Sequence, residues 1–165
     1  MNVTKKILCV FILCLSGLSL AVQEQLEVKV RGLHDKNTRV IENDSALFSG
    51  DSFQLEVLVN KSQFVYSFFL DSSEKLTSLD SGFKQSGSLY ALPANGHWYK
   101  LDDNVGKEVL IVVGSTLPLE VDKLSLDIKN KKDISTSLES GFVKVFRINH
   151  MDPKVITRSS QVSDK

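Results

Sequence analysis

The sequence predicts a mainly β fold, an antiparallel β-sandwich with one short helix near residues 119–128. Three observations support this fold class. Apolar and polar residues alternate in several segments, short runs are rich in β-branched and aromatic residues, and turn residues separate the segments. Short strands with frequent turns are typical of two-layer β folds. We expect a single domain over residues 22–152 and a disordered tail over residues 153–165.

The first strands show the period of two that marks a half-buried strand. Apolar residues alternate with charged ones from Leu26 to Val30, and the alternation from Phe53 to Val59 is the clearest in the chain. Thr38–Ile41 is a further short candidate. Gly50 and Asp51 mark the turn that precedes the Phe53 segment.

Two later segments are apolar almost without interruption, from Phe64 to Leu70 and from Val109 to Val113. Runs of this length and composition predict strands that lie centrally in a sheet or are covered on both faces. Three weaker strand candidates lie between them, Lys75–Leu79, Ser88–Leu92 and Trp98–Leu101.

The segment Leu119–Ile128 allows two interpretations. Pro118 suits the first turn of a helix, and Glu120 and Asp122 suit a helix N-terminus. Leu124, Leu126 and Ile128 are nevertheless spaced by two, so a strand is the alternative. Phe142–Ile148 is predicted as the final strand.

Residues 1–21 predict export. Lys5 and Lys6 precede the apolar run Ile7–Leu15, and Ser19-Leu20-Ala21 supplies small residues for cleavage after Ala21. The run is shorter than the roughly 20 residues that cross a bilayer, so we expect no transmembrane helix in the mature chain. The expected location is periplasmic or secreted.

Both cysteines, Cys9 and Cys14, lie inside this signal. The mature chain would therefore have no disulfide and no thiolate metal site. Acylation of Cys14 in an outer-membrane lipoprotein is an alternative, but Leu13 stands where that processing needs a small residue.

The mature chain carries little net charge. Removal of Lys5 and Lys6 leaves 18 basic and 20 acidic residues, a formal charge of −2. No basic patch suited to nucleic acid is visible, so we expect no nucleic-acid partner.

Several segments, in order, resemble a bacterial domain-of-unknown-function family, number 4384. They are Phe48–Val57, Phe64–Tyr66 followed by Leu70–Thr77, Tyr90–Pro93, and Val109–Ser115 ending in Pro118-Leu119. The resemblance spans about residues 47–119. One departure is Leu79-Asp80-Ser81-Gly82, where the family often has an apolar-Phe-Pro-Asn turn. The resemblance implies a β-sandwich with an accessory role in the cell envelope, and it implies no catalytic residue.

The candidate binding surface comprises Tyr90, His97, Trp98 and Tyr99. An exported sandwich offers loops and strand edges to partners, so we expect an envelope protein to bind here. A carbohydrate- or peptidoglycan-binding module is the alternative, in which Trp98 and Tyr99 stack on a glycan.

No pattern in the sequence predicts an enzyme, a cofactor or a metal site. Asp71 and Asp102-Asp103 offer paired carboxylates to a hydrolase, but Asp is also favoured at turns. Asp51, Asp71 and Asp102 lack the regular spacing of a calcium loop. We therefore expect a non-enzymatic protein-interaction or accessory module, with a hydrolase as the weakest alternative.

Overall fold

The structure, a computed structural model, describes residues 24–130 and 141–154. The predicted signal with both cysteines, the cleavage after Ala21 and residues 155–165 of the predicted tail lie outside the described residues. The elements in chain order are β1 (Leu26–His34), β2 (Asn37–Ile41), β3 (Ser45–Phe48), β4 (Ser52–Val59), β5 (Gln63–Leu70), β6 (Leu76–Lys84), β7 (Leu89–Leu92), β8 (Tyr99–Lys100), β9 (Gly106–Ser115), α1 (Val121–Lys129) and β10 (Gly141–Met151).

The strands form two sheets that pack face to face, and this confirms the predicted β-sandwich. The front sheet has the order β2-β1-β4-β7, and β8 also pairs with β4. The back sheet has the order β3-β10-β9-β5-β6. Among the described strands the pairing is antiparallel, except that β3 runs parallel to β10.

The interior between the sheets is filled by alternate residues of each strand. The largest fully buried side chains there include Phe53, Leu55, Leu110 and Ile148. Such burial is the main favourable contribution to folding, at roughly 1.5–3 kcal/mol for each large apolar side chain.

The back sheet is also covered on its outer side, by α1. Leu124 and Ile128 of the helix pack against Tyr66, Phe68 and residues of β9, which makes a second apolar cluster. Both β5 and β9 are therefore buried on two faces, which explains their continuous apolar sequence. The two apolar segments were correctly predicted as central strands.

The helix interpretation of residues 119–128 is correct, with the helix at Val121–Lys129. Leu124 and Ile128 are one turn apart and buried, whereas Leu126 is exposed. The helical period thus decides which of the three apolar residues enter the core. The hydroxyl of Tyr66 accepts a hydrogen bond of 2.7 Å from the backbone N–H of Leu119 and ties the segment before the helix to β5.

Candidate functional site

The four residues of the predicted binding surface are not equivalent in the structure. Tyr90 and Tyr99 pair with Val57 and Phe53 of β4 and pack against the interior of the sandwich. The Tyr99 ring lies 5.3 Å from the Phe53 ring. One face of Tyr99 is therefore occupied by the core, which opposes its use as a flat platform for a sugar.

His97 and Trp98 lie in the loop between β7 and β8, where His97 is exposed and Trp98 is half-buried. The buried side-chain amide of Gln54 donates to the carbonyl oxygens of Pro93, at 3.3 Å, and His97, at 2.9 Å. This places the loop over the end of β4, on the outer side of the front sheet.

Tyr90 belongs to a polar cluster that the sequence did not predict. On β6, Asp80 and Lys84 form an ion pair of 2.8 Å, and the Lys84 ammonium lies 4.7 Å from the centre of the Tyr90 ring. Burial and the nearby Asp80 carboxyl raise the pKa of Tyr90 and of Tyr99. Lys84 thus pairs with Asp80 and lies over the ring of Tyr90. Because Asp80 and Lys84 are on β6 and Tyr90 is on β7, this cluster joins an edge of the back sheet to an edge of the front sheet.

A serine, a histidine and a glutamate are aligned at one end of the sandwich. Oγ of Ser49 is 3.1 Å from Nε2 of His150, and Nδ1 of His150 is 3.1 Å from Oε1 of Glu108. His150 and Glu108 are buried, and burial raises the pKa of Glu108. The order of the three groups matches that of a hydrolase triad.

The backbone around Ser49 is unsuited to acyl transfer, because its amides are already in use. The N–H of Ser49 donates to Met151 O, that of Gly50 to Leu101 O, and that of Asp51 to Phe48 O. A serine nucleophile needs donors that are free to stabilise the oxyanion. The Ser49–His150–Glu108 chain joins the turn before β4 to β9 and β10.

His34 and Asp51 form a second histidine–carboxylate pair near the same turn. Nδ1 of His34 is 2.5 Å from Oδ1 of Asp51. The other carboxylate oxygen of Asp51, Oδ2, accepts a hydrogen bond of 2.9 Å from the backbone N–H of Phe48. The Asp51 side chain is nearly buried, whereas that of His34 is 56% exposed. The hydrogen bond and negative charge of Asp51 raise the pKa of His34.

The candidate carboxylates of the hydrolase alternative serve turns. Oδ1 of Asp71 accepts bonds from the N–H groups of Ser73 and Lys75, each 2.9 Å long. In the same way, Oδ1 of Asp102 accepts a hydrogen bond of 2.8 Å from the backbone N–H of Asn104. In residues 24–130 and 141–154, no three His, Cys, Asp or Glu side chains cluster closely enough to hold a metal ion.

The two sheets differ in what packs on their outer sides, as far as residues 24–130 and 141–154 show. Helix α1 covers the back sheet, whereas the outer side of the front sheet, here called the open face, carries the Pro93–His97 loop at one end. Strand register places the side chains of Lys29, Arg31 and Glu56 on this face. Arg31 and Glu56 form an ion pair, with Nε and Oε1 2.8 Å apart.

An apolar corner lies beside this charged region. Leu58 pairs with Leu89 across β4 and β7, and 67% of Leu89 is exposed. The two leucines and the charged residues around them line a concavity of about 260 Å³, formed by Glu27, Lys29, Arg31, Glu56, Leu58 and Leu89. Apolar residues bordered by charged ones are a usual composition of a protein-binding surface.

Comparison with known protein families and with curated proteins finds no match. The resemblance to family 4384 therefore stays a prediction. Within the described ranges, no helix is both long enough and apolar enough to cross a membrane.

Sequence reasoning missed the open face, because its members come from three strands that are distant in the chain. Alternation predicted which residues of β1 and β4 lie on the same face of the sheet. It did not show which sheet the helix would cover, and in the described residues α1 packs on the back sheet.

Proposed function

We propose that this protein is an exported, non-enzymatic β-sandwich module of the cell envelope that binds a partner protein through the open face. The observation that carries the proposal is the exposed Leu89 beside Leu58, within a concavity bordered by charges of both signs. A partner side chain that fills this concavity would be shielded from water, as the central contacts of an interface are.

The charged border supports recognition of a protein rather than a nucleic acid. Two acidic and two basic residues surround the two leucines, and Arg31 is already paired with Glu56. A surface of mixed charge selects partners by local complementarity and lacks the excess of positive charge that phosphates require.

Export is supported by residues 1–21, whose basic start, short apolar run and small residues before position 22 have the order of a secretory signal. An envelope location is a proposal that rests on this segment and on the family resemblance. The glycan-binding alternative gains no support from Tyr99, which packs on Phe53.

The proposal is tested by affinity capture of the processed chain from envelope extracts, followed by identification of stoichiometric partners. Leu89→Asp should weaken capture about tenfold or more, because it puts a charge in a buried contact. Leu126→Asp is the matched control, since Leu126 is similarly exposed but lies on α1, away from the open face. Equal capture by the two variants, or no specific partner at stringent wash, would contradict the proposal.

A further inference from the structure

Five of the described strands are outer ones: β2, β7 and β8 in the front sheet, and β3 and β6 in the back sheet. All but β2 are very short or carry charges that are held toward the interior. On β6, Asp80 and Lys84 pair with the buried residues Ser67 and Gln63 and so point toward the interior. Inward-pointing charges on an edge strand discourage edge-to-edge pairing. The side chains of Asp80 and Lys84 are held largely inside, at 22% and 24% exposed, whereas Arg39 on the corresponding side of β2 is exposed to solvent. Strands β3 and β7 are only four residues long, β8 has two, and Pro93 follows directly after the end of β7 at Leu92.

The remaining outer strand, β2, is joined to β1 by a tight hairpin. The two turn residues, Asp35 and Lys36, have φ of 44° and 68°, the backbone of a type I′ turn. In such a hairpin the flanking residues His34 and Asn37 exchange backbone hydrogen bonds. Bonded and non-bonded pairs alternate from there along the strand.

This alternation fixes which backbone groups of β2 face away from the sheet. The backbone N–H and C=O of Arg39 bond to Gly32 of β1, whereas the N–H and C=O of Thr38 and Val40 point away from the sheet. Within residues 24–130 and 141–154, the outward groups of Thr38 and Val40 have no backbone partner. The side chain of Val40 is 54% exposed and lies on the open face, opposite Arg31.

We infer that β2 accepts an extended segment of a partner protein as an added strand, bonded to the backbone of Thr38 and Val40. The inference rests on the proposed function and names the form of the partner. The two N–H groups and two C=O groups of Thr38 and Val40 are spaced to bond to the backbone of another extended segment. In strand addition such main-chain hydrogen bonds supply the affinity. Val40 supplies an apolar contact to a side chain of the added strand.

A second copy of this chain is disfavoured in the register that bonds both Thr38 and Val40 of each copy. That antiparallel pair of two β2 strands sets Arg39 opposite Arg39. Like charges directly opposite each other are destabilising. The edge therefore favours a foreign segment.

The test uses the processed chain and a phage-displayed library of random twelve-residue linear peptides. Selected peptides are synthesised, and their affinities are measured for the wild type, Val40→Pro and Val40→Ala. Proline removes the outward N–H and is tolerated on edge strands, whereas alanine keeps the N–H and shortens the side chain. We expect Val40→Pro to weaken binding about tenfold and Val40→Ala about threefold or less.

Hydrogen exchange on the wild type gives a second readout that needs no variant. Peptide binding should slow exchange of the Thr38 and Val40 amides, which we expect to exchange rapidly in the free protein because they have no backbone partner among the described residues. Equal affinity of Val40→Pro and Val40→Ala, unchanged exchange at both amides, or recovery of no binding peptide would overturn the inference. Capture that depends on Leu89 would then still stand, so the two proposals fail separately.

Discussion

At the scale of single residues, His34 shows how one hydrogen bond shifts a titration. Asp51 is held in place by the N–H of Phe48 and presents its other oxygen to His34. Protonated His34 gains both a hydrogen bond and a favourable charge from this carboxylate, which is why its pKa is raised.

We predict that the His34 ring titrates above its ordinary value of 6.5, as followed by NMR of its ring protons. Because the pKa in the folded protein exceeds that in the unfolded chain, the pair stabilises the fold fully below pH 6.5. This contribution is lost as the pH rises through the folded pKa. Asp51→Asn should lower the titration midpoint toward 6.5, and an unchanged midpoint would contradict the assignment.

Ser49 gives the residue-scale test of the non-enzymatic proposal. We predict that a fluorophosphonate probe leaves the native protein unlabelled, because the amides around Ser49 are already bonded to carbonyl oxygens. A known serine hydrolase added to the same sample is the positive control. Labelling that disappears in Ser49→Ala would instead show that the Ser49–His150–Glu108 chain activates the serine.

At the scale of elements, helix α1 stabilises the fold by covering the back sheet. Leu124 and Ile128 are nearly fully buried against this sheet, whereas 57% of Leu126 is exposed. Asp122 in the first turn and Lys129 in the last turn complement the helix dipole. Burial of Leu124 should stabilise the fold more than the interactions of Asp122 and Lys129 with the helix dipole do.

We predict that Leu124→Ala lowers the free energy of unfolding by about 2–4 kcal/mol, as measured by urea denaturation. Leu126→Ala, the matched control on the same helix, should change it by about 0.5 kcal/mol or less. Similar losses for the two variants would mean that the helix does not pack as described.

The sequence predicted most elements but not their partners. Alternation and apolar runs identified β1, β4, β5 and β9, because each signal lies within ten residues. Strand β3 was missed: it is four residues long and pairs with β10 about a hundred positions later. The Ser49–His150–Glu108 chain was missed for the same reason, since long-range pairing brings its members together.

At the scale of the whole molecule, the described residues cover the outer sides of the two sheets unequally. Helix α1 packs on β5 and β9 of the back sheet, whereas Leu89 and Val40 of the front sheet are in contact with solvent. The proposed binding surface is on the front sheet for this reason. Export would place this surface where envelope proteins can reach it.

We predict that the chain is cleaved after Ala21 when it is expressed in a host with a secretory pathway. Terminal sequencing of the exported protein should begin at Val22, because Ser19 and Ala21 are the small residues that the cleaving enzyme selects. A chain that begins at Met1 in the soluble exported fraction would contradict the signal, and a chain that begins at Cys14 would favour the lipoprotein alternative.

The most direct test of partner binding is photo-crosslinking in cells of the source organism. A photoreactive phenylalanine analogue replaces Leu89 in one full-length variant and Leu126 in the other. We expect a discrete crosslinked protein at position 89 that is absent at position 126. The same products at both positions, or none at position 89, would contradict this expectation.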